Sequence, residues 1–194
     1  MEDIENLKFR LEIQEEIFFT LMVNYDDYKF LQKPDTLVEI ETVKKNNFLQ
    51  RTKFNFWMII VIDLCKLFTD RKEKYGFHKL VTIIEQDYWN SSWKRVMPRN
   101  VIQDLKHSLN SKETKIIIEK VTRLRDKLYA HRDSDLEKHF KDFRITLIEI
   151  NFLLDLGKKI IFEINKYFFD SHTFFSVGGL QKAKSLINRI DNNK

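Results

Sequence analysis

Residues 116–131 read IIIEKVTRLRDKLYAH, and the spacing of their apolar side chains decides the fold class. At 100° per residue, Ile117, Val121, Leu124 and Leu128 fall within about 60° of one another, a single core stripe on a helix of residues 112–130. Arg125 lies on one edge of that stripe and His131 on the other. Lys120, Arg123 and Lys127 lie beyond the His131 edge and make that border basic, while Asp126 points to the opposite side of the wheel.

The same period runs through the rest of the chain. Ile4, Leu7, Leu11, Phe18, Leu21, Met22 and Tyr25 predict an amphipathic helix over residues 3–30. Thr36 and Glu39 form a capping box that opens a second helix, reaching about Phe68, with a kink or break at residues 46–50. Its seam is Ile40, Val43, Phe54, Trp57, Val61, Leu64 and Phe68, interrupted by the polar Asn47 and Gln50. A short helix over residues 77–87, an aromatic loop containing Tyr88, Trp89 and Trp93, and a helix over residues 100–109 precede the basic one. Ser134 and Glu137 make another capping box, and apolar residues from Leu136 to Phe168 predict one helix of about 34 residues. Gly178 and Gly179 separate it from a short terminal helix.

Composition agrees. The 194 residues hold 17 Phe but 4 Gly and 2 Pro, and Gly and Pro are what hairpins and tight strand turns require. The chain is therefore expected to be all-α, an elongated up-down bundle of long antiparallel helices, folded as a single domain over 1–194. No internal repeat or low-complexity tract is present.

The single cysteine, Cys65, excludes an internal disulfide and a cysteine zinc site, and its apolar surroundings predict a buried thiol. The five histidines lack metal-ligand spacing, so no metal and no cofactor are expected. The acidic start shows no signal peptide. The longest apolar run ends at Asp63 and Lys66, short of the ~20 residues of a membrane span, which predicts a cytoplasmic protein without membrane contact.

The net charge is +5. Residues 99–134 carry 9 Lys/Arg against 5 Asp/Glu, so +4 of it lies around the basic helix, a pointer to a polyanion such as nucleic acid. His131 stands at the end of that helix, where the carbonyl-rich terminus favours imidazolium. A histidine poised to charge near neutral pH, beside cations able to hold phosphate, suits general acid/base chemistry. The same two residues also suit structural roles, His131 as a C-terminal cap and Arg125 covering apolar surface with its stem. His131, Arg132 and Asp133 spell the kinase catalytic-loop triplet, but no glycine-rich loop or D-F-G accompanies it.

RDKLYAH, residues 125–131, resembles the R-x(4–6)-H motif of the HEPN superfamily. VTRLRDKLYAHRDSD, together with FWMIIVIDLCKLFTDRKEKYGFHKLVTII upstream, is similar to the abortive-infection branch of the AbiU type. The likeness is detailed over residues 50–135. It implies a HEPN helical bundle that homodimerises and acts as a metal-independent ribonuclease, a toxin or phage-defence effector, with RNA as substrate and room for an antitoxin. His131 is then the acid/base, Arg125 the group that stabilises charge on the scissile phosphate, and Asp126 the residue that orients one of them. Lys120, Arg123, Lys127 and Arg132 would bind RNA. The residue after Arg125 is Asp rather than the more frequent Asn, and no tyrosine stands two residues after His131, unlike the branch silenced by nucleotidylation there. The alternative is a non-catalytic HEPN bundle that binds RNA or a partner protein. On one straight helix Arg125 and His131 diverge by about 120°, so either the helix breaks before His131 or a second subunit completes the site.

Overall fold

The computed structural model describes residues 4–69, 73–88, 97–130 and 145–169. Among these, seven α-helices and no strand are found: α1 (Ile4–Gln32), α2 (Leu37–Lys45), α3 (Asn47–Phe68), α4 (Phe77–Gln86), α5 (Arg99–Asn110), α6 (Lys112–Ala130) and α7 (Leu147–Ile164), the last continued by a π-helical turn, Asn165–Phe169. The all-α bundle expected from the sequence is what forms.

The expected break near residues 46–50 falls at Asn46, and its cause is local. The Asn46 Oδ1 accepts from the amides of Phe48 (2.9 Å) and Leu49 (3.2 Å), satisfying donors that a new helix start leaves open. Upstream, Thr36 Oγ1 accepts from Glu39 N (3.2 Å) while Glu39 Oε2 accepts from Thr36 N (2.9 Å). This is the expected box. Phe54, expected in the core, is 39% exposed, and Gln50 donates to the Val43 carbonyl at 2.7 Å.

The long helix expected over residues 134–168 is not continuous. Thr146 has extended backbone (φ −87°, ψ 159°) and caps α7, with Glu149 completing a second box. The expected Ser134–Glu137 box and the terminal helix after Gly179 lie outside the described residues.

One large core joins α1 and α3 to α7, with Phe18, Phe68 and Phe77 fully buried at its centre. Phe77 meets Phe18 and Phe68 edge-on, with centroids 6.3 and 5.1 Å apart, the arrangement that ring quadrupoles favour. α7 approaches α1 closely through Gly157, where an added Cβ would lie 3.0 Å from Phe18 Cζ and nearer still to Cε2. A smaller cluster of Phe30, Leu31, Val43 and Leu49 fixes the α2–α3 corner. No helix among the described residues is long and apolar enough to cross a membrane.

Candidate functional site around Arg125

α6 packs on α3 through its stripe, with Ile117, Val121 and Leu124 buried. This leaves Arg125 at the edge of the core, its side chain 29% exposed. Beneath it is the buried Cys65 of α3, whose thiol burial pushes up to about 12; the Arg125 charge pulls the other way without overcoming it. A thiol held that far above neutrality is protonated and unreactive.

Two carboxylates face the guanidinium. Arg125 Nε and Nη2 each donate to Asp126 Oδ1 at 3.0 Å, and Nη1 lies 3.8 Å from Glu73 Oε1. Partial burial alone would lower the Arg125 pKa, but these carboxylates hold it above its usual value. The group is a permanent cation of fixed orientation.

Glu73 is brought there by the turn before α4. Gly76 N donates to Glu73 O at 3.2 Å. Gln14 Nε2 donates to the carbonyls of Tyr75 (2.9 Å) and Gly76 (3.3 Å), and Arg10 Nη1 to that of Lys74 (3.1 Å). α1 therefore holds the turn from one side, and the turn presents Glu73 to α6.

Residues 21–184 match the family described as AbiU2, a HEPN family. The chain belongs to it. The match takes in both stretches that carry the resemblance, RDKLYAH and the α3–α4 segment. Comparison with the curated proteins and with the solved structures found no match.

Within this AbiU2 chain the expected site residues are distributed as follows. Arg125 and Asp126 are brought together, although their positions on the wheel diverge, because the arginine stem spans the gap. Lys120, half-exposed, reaches across to Glu149 of the α7 capping box. Arg123, exposed, pairs with Glu119 one turn back, and Lys127 is half-buried. α6 is helical through Ala130; His131 and Arg132 lie outside the described residues, as do Trp89 and Trp93. Two neighbours escape a reading of the sequence, Glu73 and Cys65. Each sits far from Arg125 along the chain, and no spacing rule connects them to it.

Proposed function

We propose that this AbiU2-family protein is a metal-independent endoribonuclease, a toxin or abortive-infection effector that uses Arg125 and His131 in a cleft completed by a second copy of the chain. The observation that carries the reading is the Arg125 guanidinium, cationic, partly exposed and oriented by Asp126, at the head of the family motif. In RNA cleavage, His131 removes the ribose 2′-hydroxyl proton, and the 2′-oxygen attacks phosphorus as the bond to the 5′-oxygen breaks. A second imidazolium protonates the leaving oxygen, and the product is a 2′,3′-cyclic phosphate. Arg125 answers the charge that builds on the non-bridging oxygens. Lys120, Arg123, Lys127 and Arg132 would attract the backbone, the first two by exchanging a carboxylate partner for phosphate.

A second reading, a non-catalytic bundle that binds RNA or a protein, is favoured by one observation: the Arg125 charge already faces two carboxylates. Expression in a bacterial host separates the two. The catalytic reading expects the intact chain to arrest growth with cellular RNA degraded, and Arg125→Ala and His131→Ala to do neither. Growth arrest that persists in both variants with RNA intact supports the binding reading.

A further inference from the structure

The corner between α2 and α3 lies far from Arg125 along α3, and the motif does not explain it. Between Glu41 and Asp63 the chain holds four cations, Lys44, Lys45, Arg51 and Lys53, and no carboxylate. Lys44, Lys45 and Arg51 are exposed. Phe48 stands among them 65% exposed, and Phe54, six residues on with Arg51 midway between them, 39%. Lys45 pairs with Glu41 at 2.8 Å, where both side chains are mostly solvated.

Phe48 is the most exposed phenylalanine among the described residues. The corner itself is rigid, fixed by the Asn46 cap, by the Gln50 bond to the Val43 carbonyl and by the small core cluster behind it. Two side chains that cost free energy in water are thus held outward on a cationic face. A second copy of the same face would bring like charges together, which opposes self-association. A polyanion carrying flat, stackable rings satisfies both features at once.

The geometry points to the α2–α3 corner as a binding surface for single-stranded nucleic acid, with Lys44, Lys45 and Arg51 on the backbone phosphates and Phe48 and Phe54 stacking on bases. Such a surface, which deepens the ribonuclease reading, gives the enzyme a separate place to hold its strand. Phe48 and Cys65 are 17 residues apart on one helix, about 25 Å along its axis, so a strand lying along α3 reaches from the corner toward Arg125.

The test uses full-length protein carrying Arg125→Ala, so that bound RNA is not cut, and measures fluorescence anisotropy of a labelled unstructured RNA of about 15 nucleotides. Phe48→Ser with Arg51→Glu added should weaken binding at least tenfold and make the slope of log K against log salt shallower, by roughly 0.7 for each phosphate the variant no longer neutralises. Circular dichroism should show unchanged melting, since both side chains are exposed, and Lys44→Gln with Lys45→Gln should weaken binding through charge alone. Unaltered affinity in both variants overturns the inference, as does a loss of oligomeric state without a loss of RNA affinity, which would mean that a second copy covers the corner. Corner-dependent binding by a chain that never cleaves RNA leaves this inference standing and removes only the ribonuclease reading.

Discussion

Arg125 turns its guanidinium back onto its own chain neighbour, with Nε and Nη2 each 3.0 Å from Asp126 Oδ1. Consecutive helical residues do not ordinarily face each other, so the pair exists because the arginine stem is long and its fork planar. A substrate phosphate would have to share this guanidinium with Asp126. Asp126→Asn keeps an oxygen acceptor and removes the competing charge, so RNA cleavage should persist at or above the native kcat/KM. Asp126→Ala removes the positioning contact and should lower kcat by ~10- to ~100-fold. An Asn variant as inactive as Arg125→Ala would show that the negative charge itself is needed.

Cys65 lies under the same arginine yet is protonated at neutral pH, its pKa pushed up to about 12 by burial. Iodoacetamide at pH 8 should leave the folded protein unmodified and label it promptly in urea. Rapid labelling of the native chain would contradict the packing of α3 against α6.

Glu149 links two roles, capping α7 and pairing with Lys120. Burial would raise its pKa, but Lys120 and the Thr146 amide and hydroxyl outweigh burial and hold it below the ordinary 4.5. A carboxylate depressed in the folded state stabilises above its unfolded pKa and loses that contribution as pH falls through the folded one. Urea melts should therefore show native stability falling below about pH 4.5 more steeply than that of Glu149→Gln, with the variant the less stable at pH 7. Parallel pH profiles would mean that the ion pair contributes nothing to folding.

At Gly157, α7 lies directly against the Phe18 ring of α1. Alanine has the higher helix propensity by ~1 kcal/mol, yet its methyl would press into the Phe18 ring, whose Cζ is 3.0 Å from the added Cβ. Gly157→Ala should cost about 1–3 kcal/mol net. Phe18→Leu in the same chain should give a double variant less destabilised than the two single changes together, because their shared clash is relieved. Simple additivity would contradict the contact.

Helical period is a sufficient guide wherever one apolar stripe faces one core. It places α1, α4, α5 and α6 within a few residues, the Thr36–Glu39 box marks the start of α2, and the polar Asn47 and Gln50 in the seam announce the α2–α3 break. It fails at α7, because the apolar positions 143, 147, 150 and 154 keep helical spacing straight through Thr146. The T-x-x-E of Thr146 and Glu149 is the only warning, and it sits inside an unbroken stripe. Arg125 and Asp126 are legible from local spacing. The contacts that surround them, with Cys65 and Glu73, arise only when α3 and the turn after it fold against α6. The exposed Phe54 reads as core because it keeps the spacing of Trp57, Val61 and Leu64 on the same helix, and period alone does not show where along α3 the core ends.

Cleavage of RNA by Arg125 and His131 without a metal ion is the property on which the functional reading turns. Purified chain should cut a single-stranded RNA in excess EDTA and leave 2′,3′-cyclic phosphate ends, and Arg125→Ala and His131→Ala should each reduce the rate by at least ~10²-fold with melting unchanged. Cleavage that requires an added divalent ion, or that survives intact in both variants, would contradict it.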